Sequence, residues 1–499
     1  MAKLNKSWDD FSLNAAIGTS ITDTRTSALR LDSKTASLYY PNVFTIANIN
    51  MSSSAYIEES DDARRQMQSF FAMAQLGYKE SLYLDVTARN DWSSTLAFTE
   101  RKSRGFFYPS VGLSWIIPKS FSMPSLISFG KVRASWSKVG NDIPLFVSNT
   151  VGHIAAGGIP QPNDTAPFGT LKPEMSSSFE IGTEWKFFDY RMDVDLTFYK
   201  TNTKNQLFSL PSSAGAAYKY YFVNAGNIQN MGVELTLGAV PILTNQFKWN
   251  TTLNFSRNKN EVKKLHDDLA SFIQGDEGFS SSYTMRLVEG GSFGDIYGKA
   301  FERDKYGAIV YGRDGLPQEI GSGNTAKVGN CNPAFLLGWG NSFTYKDFSF
   351  YFLIDGHFGG DVLAQTQAVL DQTGVSKVSG ETRTMGYVDL EGHHIYNIKG
   401  FYEQVGGRNG VTEYYMYDAT NIRLRELSLG YTLPKRLLGR KQFVKKAELS
   451  FVARNLFFIY KKAPFDPDAV LSASNSNQGI DIFGIPTTRS VGFNVKLSF

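Results

Sequence analysis

Short segments in which apolar and polar residues alternate recur along nearly the whole chain, and this pattern limits the fold more than any other feature. Side chains of a β-strand point alternately to its two faces, so alternation marks a strand whose faces meet different surroundings. At the end of the chain Val491, Phe493, Val495, Leu497 and Phe499 alternate with Ser490, Gly492, Asn494, Lys496 and Ser498. Met192, Val194, Leu196 and Phe198 alternate with Arg191, Asp193, Asp195 and Thr197, and Leu82, Leu84, Val86 and Ala88 with Tyr83, Asp85, Thr87 and Arg89. Phe179, Ile181, Thr183, Trp185 and Phe187 oppose Glu180, Glu184 and Lys186, and Phe348, Phe350, Phe352 and Ile354 continue the series.

The pattern predicts strands near Trp8–Ser20, Gln68–Tyr78, Leu82–Trp92, Phe106–Ile116, Phe129–Lys138, Ser176–Phe187 and Tyr190–Thr203. Further strands are expected near Gly226–Ala239, Gln246–Asn260, Ala334–Tyr345, Phe348–Phe358, Thr420–Leu433, Lys445–Phe458 and Thr488–Phe499. That makes about fourteen, typically of about 10–14 residues, where soluble sheets use about 5–6 and a tilted membrane crossing needs about 9–11.

The links between these segments alternate in length. Tight links at Lys79–Ser81, Phe188–Asp189, Val240–Asn245 and Lys346–Asp347, with longer ones at Ile117–Ser128 and Pro434–Val444, alternate with long ones. The long links are Ile21–Met67, Ser93–Gly105, Val139–Met175, Lys204–Ala225, Glu261–Pro333, Gly359–Ala419 and Ile459–Thr487. Short periplasmic turns and long extracellular loops are the rule of outer-membrane barrels, which also carry an even strand number. The expected fold is therefore all-β, a transmembrane antiparallel outer-membrane β-barrel whose last strand runs toward the periplasm. Hydrocarbon offers no hydrogen-bond partner, so strands cross it only as a closed ring. Phe293–Phe301 and Ala308–Gly312 are expected as a hairpin inside an extracellular loop, and Gly360–Thr373 as a short loop helix. Arg133, Asp193, Asp195 and Glu234 should face the lumen, and Trp92, Tyr108, Trp185, Tyr199, Trp249, Tyr345 and Tyr431 suit interfacial girdles.

Composition removes other classes. The 499 residues show no linker that divides one texture from another, which argues for one large β object. Lys+Arg of 51 against Asp+Glu of 47 gives a charge of +4 spread along the chain, so no nucleic-acid footprint is indicated. The one basic cluster, Lys435, Arg436, Arg440, Lys441, Lys445 and Lys446, reads as a solvated turn. A single cysteine, Cys331, excludes an intrachain disulfide framework. No run reaches the ~18 apolar residues of a transmembrane helix, and Met1–Lys6 carries no secretory signal pattern.

Several runs resemble those of SusC/RagA-like TonB-dependent transporters. They are Asn90-Asp91-Trp92-Ser93-Ser94-Thr95, Tyr108-Pro109-Ser110-Val111, and Leu171-Lys172-Pro173-Glu174 with Glu180-Ile181-Gly182. Asn224-Ala225-Gly226 with Asn230-Met231-Gly232-Val233-Glu234-Leu235, and Asn254-Phe255-Ser256-Arg257-Asn258-Lys259-Asn260, extend the likeness. It continues through Arg423-Leu424-Arg425, Leu429-Gly430-Tyr431-Thr432-Leu433-Pro434, Arg454-Asn455-Leu456-Phe457, Asp466-Pro467-Asp468 and the terminal Phe499. The resemblance implies a 22-stranded barrel with an N-terminal plug, energised by the TonB complex, capped by a SusD-like surface lipoprotein, and importing oligosaccharides or peptides. No plug, TonB-contact segment or signal peptide is legible, so residues 1–499 are expected to be the C-terminal part of such a barrel, seated in outer-membrane lipid.

No catalytic, cofactor or metal site is expected. His393 and His394 are adjacent without a second ligand pair at metal spacing, Gly290–Gly294 matches no phosphate-binding fingerprint, and Asp304, Asp314 and Gly315 read as turn chemistry. Function on a rigid scaffold concentrates in loops, where Tyr39, Tyr40, Tyr414, Tyr415 and Tyr417 are candidates for stacking on sugar rings. Packing among the loops is the alternative use of the same rings. Active import, a passive porin-like channel, and a soluble carbohydrate-binding or adhesin β-protein remain open at this point.

Overall fold

The alternating segments become one sheet in the computed structural model, which describes residues 1–52, 57–99, 105–148, 150–155, 159–161, 163–166, 171–212, 216–266, 270–273, 282–320, 326–438, 443–470 and 477–499. Fifteen strands follow one another in sequence order. They are β1 (Ala2–Trp8), β2 (Phe11–Asp32), β3 (Ile57–Tyr78), β4 (Leu82–Ser93), β5 (Gly105–Ile116), β6 (Ile127–Asn141), β7 (Glu174–Phe187) and β8 (Met192–Pro211). The order continues with β9 (Tyr220–Leu243), β10 (Phe247–Lys264), β11 (Phe335–Tyr345), β12 (Phe348–Phe358), β13 (Asn421–Thr432), β14 (Lys446–Lys461) and β15 (Ser490–Ser498).

All fourteen expected strands are present, and among the described residues one further strand joins them at the start of the sheet. What reads as a single strand from Trp8 is a hairpin in which Trp8 pairs with Phe11 and Ala2 with Ile17. Asp9 takes a left-handed φ of 45° at its turn, a conformation that aspartate tolerates better than most side chains.

The chain divides into two compact units, the first Met1–Phe121, Val132–Ile181 and Lys200–Ile228, the second Ser122–Lys131, Gly182–Tyr199 and Gln229–Phe499. In the first, antiparallel pairing of β2 to β5 lays down apolar rows such as Leu13–Leu76–Leu84–Leu113 and Ala15–Ala74–Val86–Val111. The opposite face carries Asn14–Gln75–Asp85, linked by side-chain hydrogen bonds of 3.4 and 2.8 Å.

In the second unit the same rule runs from β10 to β15. One row is Phe247–Tyr345–Phe348–Tyr431–Leu449–Val495, and the next is Trp249–Phe343–Phe350–Leu429–Phe451–Phe493. Their rings touch along the rows, Trp249 to Phe343 at 5.7 Å, Phe343 to Phe350 at 6.0 Å and Phe451 to Phe493 at 5.6 Å. Tyr345, Phe348, Leu429, Leu449, Phe493 and Val495 are all exposed. So extended an uncovered apolar face is unstable in water and is what hydrocarbon requires.

Trp249, Tyr345 and Tyr431 stand on this face close to the short turns, where a girdle belongs. Tyr108 and Tyr199 do not: Tyr108 donates to Asp91 at 2.5 Å and Tyr199 to Asn258 at 3.2 Å, both on the polar side. Glu234 and Asp193 also lie on the polar side; a Cβ at Gly238, two pleats from Glu234, would strike the Asp193 carboxylate.

The long links of the second unit share a core of their own. Met285, Ile296, Leu363, Phe401, Val405, Tyr415 and Ile480 come from three separate links and are almost wholly buried together. Around them lie a four-stranded sheet (Ser271–Ile273, Tyr283–Val288, Asp295–Gly298, Ala326–Asn330) and helices α1 (Gln365–Gln372), α2 (Lys377–Met385) and α3 (Ile398–Val405). Helix α1 is the expected loop helix. Neither Phe293–Phe301 nor Ala308–Gly312 enters the wall, but they do not pair with each other as expected. Asp295–Gly298 joins the four-stranded sheet, while Ile309 bridges Arg303 and Tyr311 bridges Pro317. Asp304 and Asp314 do close turns, accepting backbone N–H groups at 2.8 to 3.1 Å. Of the basic cluster, Arg440 and Lys441 lie outside the described residues.

Cys331 sits against this core, and burial pushes its thiol from 9.0 up to about 11. The thiolate is the nucleophile, so the shift removes about two decades of reactive fraction at pH 8. Alkylation by iodoacetamide should run about 100-fold slower in the folded protein than in urea. Mass spectrometry of the proteolytic peptide that carries Cys331 reads the rate directly.

Candidate binding site

The polar face carries the charge of the wall, and its groups are held in networks. In the first unit Asp91, nearly buried, accepts from Arg89 at 2.7 Å as well as from Tyr108, and Arg89 donates on to Ser69 at 2.6 Å. Asp142 accepts from Arg65 at 2.7 Å and from Ser93 at 2.5 Å. These contacts tie strand ends to the adjoining links and place the runs around Asp91 and Tyr108 in one structural knot.

In the second unit the network borders a cavity of about 450 Å³. Arg423 on β13 is fully buried, with its guanidinium on the Asp468 carboxylate and 4.6 Å from the Phe458 ring centre. Arg425, two residues on, donates to Asp355 through Nε at 2.9 Å and Nη2 at 2.5 Å, and to Asn455 at 3.2 Å. Asp466 accepts from the Thr487 hydroxyl at 2.5 Å and from the backbone N–H of Asp468 at 3.1 Å, which fixes the bend that presents Asp468. The runs Arg423-Leu424-Arg425 and Asp466-Pro467-Asp468, far apart in sequence, are thus two halves of one contact.

The cavity is lined by Glu234, Thr236, Asn254, Ser256, Gly338, Asp355, His357, Asn421, Arg425 and Asp468, among others. Carboxylates, amides and one guanidinium stand there among apolar side chains such as Leu235, Phe255 and Leu337, a mixture that suits a ligand with both hydroxyl or amide groups and apolar faces. Asp355 and His357 belong to no motif, and the one sequence signal that marks them is their place on the polar side of the Phe348–Phe358 alternation. Among the described residues no group of three His, Cys, Asp or Glu side chains is arranged to hold a metal ion.

The five tyrosines are placed differently. Tyr39 and Tyr40 are exposed in the first unit. Tyr414, Tyr415 and Tyr417 come together in the second, packed into the loop core. Tyr415 is 1 % exposed, and its hydroxyl donates to Asp371 at 3.1 Å. Burial holds that phenol far above its ordinary titration range and also raises the Asp371 carboxyl. No face of the Tyr415 ring is open to a ligand in this arrangement.

A family model for the TonB-dependent receptor-like β-barrel matches residues 3–456. The chain belongs to this family. As a TonB-dependent receptor barrel it is an outer-membrane protein, and the exposed apolar rows are its lipid-facing side. It is 26 % identical over 489 residues to the TonB-dependent receptor P3 of Formosa agariphila, covering 90 % of this chain and 47 % of that protein. To the TonB-dependent receptor SusC of Bacteroides thetaiotaomicron it is 22 % identical, covering 89 % and 46 %. This TonB-dependent receptor barrel spans about half the length of the curated relatives it matches. Its fold is similar to a structure of the RagAB peptide importer, with a TM-score of 0.76, 18 % identity, and coverage of 100 % of this chain and 54 % of the other.

Proposed function

We propose that this chain forms the C-terminal part of the barrel of an active nutrient importer, with oligosaccharides as cargo. The observation that carries the proposal is the division of the sheet into a lipid-compatible apolar face and a polar face that holds charged networks and a cavity. A wall of that kind needs a polar lumen, and barrels of the width this family uses hold a plugged one. The plug is assigned to sequence outside these 499 residues, in keeping with the half of each relative that the chain leaves uncovered. Through that plug the receptor would engage the TonB complex, and a SusD-like surface lipoprotein would close over the loop core. The role involves no covalent step and no enzyme chemistry. Peptides are the second cargo class, favoured by the likeness to a peptide importer.

Cells that carry the full-length protein should accumulate a labelled neutral oligosaccharide, and accumulation should stop when a protonophore collapses the proton gradient. Uptake that continues at the same rate without the gradient would make the barrel a passive pore instead.

A further inference from the structure

Glycine inside a strand costs stability, and its presence calls for a reason: a special φ, a close neighbour, or a ligand that approaches the backbone. Several wall glycines have the second. A Cβ at Gly430 would strike the Ser349 hydroxyl, as one at Gly238 would strike Asp193. Gly338, in the middle of β11, has neither of the first two. Its φ is not in the left-handed region, and an added Cβ would meet nothing nearer than Asn254 Cβ at 3.9 Å.

Register explains the open space. Gly338 lies between Asn254 of β10 and Asp355 of β12, so two polar side chains flank a strand position that has none. One pleat further along, Gly340 repeats the gap, and there Tyr351 is the nearest neighbour, with its hydroxyl 3.6 Å from where a Cβ would lie. The result is a trough with a backbone floor that opens into the cavity described above. Two atoms in its walls, Asp355 Oδ1 and His357 Nε2, are withdrawn from solvent and have no hydrogen-bond partner among the described residues. Buried polar atoms are nearly always satisfied, so orphans of this kind point to a bound group.

We infer that the trough over Gly338, walled by Asn254, Asp355, His357 and Arg425, is a binding subsite for a neutral saccharide unit. Planar carboxylate, amide and guanidinium groups accept from and donate to vicinal hydroxyls, and the Tyr351 ring supplies an apolar face beside them. With Arg425 paired to Asp355 and Arg423 to Asp468, Glu234 leaves the walls with a net negative charge, which disfavours an anionic sugar. The inference rests on the importer reading for its cargo class and adds where on the wall the cargo is held.

The test is calorimetric titration of the full-length protein in detergent with maltotriose, cellotriose, xylotriose and trialanine. At least one trisaccharide should bind. Gly338→Val, which fills the trough and suits a strand, should weaken that binding about tenfold or more, and Asp355→Asn should do the same. Gly338→Ala, whose methyl meets no protein atom closer than 3.9 Å but covers part of the floor, should weaken it by an intermediate amount, about threefold. Failure of all three sugars to bind, binding of trialanine alone, or unchanged affinity in Gly338→Val overturns the subsite. Uptake separates the two readings. Gradient-dependent uptake that Gly338→Val leaves intact removes the subsite and keeps the importer, whereas lost sugar binding with gradient-independent uptake keeps the subsite in a passive pore.

Discussion

Arginine at Leu427 should destabilise the folded protein by about 2–4 kcal/mol, while arginine at the neighbouring Ser428 should cost less than about 1 kcal/mol. Leu427 lies mid-strand on β13, opposite Phe352 on one side and Ala453 on the other, within the apolar rows. A cation there must sit in hydrocarbon or drag water with it. Ser428 points the other way, between Tyr351 and Val452, on the face with Glu426, Arg454 and Glu448. An arginine on that side keeps its hydration and finds carboxylates nearby. The comparison is urea unfolding of the full-length protein in lipid vesicles, where the two substitutions differ by one residue in sequence and by the whole membrane environment in space. Equal costs at the two positions would mean that the rows from Phe247 to Val495 do not face lipid.

That the two faces can be told apart from the sequence at all follows from the same environment. Where a strand crosses the bilayer, lipid on one side and lumen on the other impose a period of two, and β4, β12 and β15 read plainly. The signal ends where the membrane does. β2 and β3 each continue for 22 residues, but Thr22-Asp23-Thr24-Arg25 has water on both faces and shows no division, so alternation alone makes both strands too short. β1 fails for a related reason: Ala2–Ser7 offers only Leu4 as a large apolar side chain, and Asp9-Asp10 lacks the glycine that usually marks a two-residue turn.

The site is less legible than the wall. Clustered tyrosines are visible in sequence, but whether a ring meets solvent or a core is decided by links that lie far apart, as Ile296, Phe401 and Ile480 around Tyr415 demonstrate. Arg425 and Asp468 stand in recognisable runs, yet nothing local indicates that Asp468 reaches β13. Gly338 is one of 45 glycines, and only cross-strand register shows that its neighbours leave it uncovered.

Removing the Asp468 carboxylate should destabilise the second unit by a comparable amount. Arg423 is 1 % exposed and takes most of its charge compensation from the direct pair with Asp468; Asp466 adds a longer-range attraction, and the remaining contacts are the Phe458 ring and the Thr487 hydroxyl at 3.4 Å. A buried ion left without its partner costs about 3–5 kcal/mol, far more than the pair contributes over an apolar replacement. Because the Asp468 side chain is 31 % exposed, water can reach the site after the change, and Asp468→Ala should fall near the lower end, about 3 kcal/mol. Arg423→Met in the same background should recover most of that loss, since the orphaned charge is gone and a flexible apolar chain can fill its place. Urea titrations of the two single variants and the double variant give the coupling directly. Hydrogen exchange at residues 464–470 should rise in Asp468→Ala, where the bend held by Asp466 loses its anchor on β13. A double variant as unstable as the single one would mean that Arg423 contributes through its packing on Phe458, and that charge compensation by Asp468 is incidental.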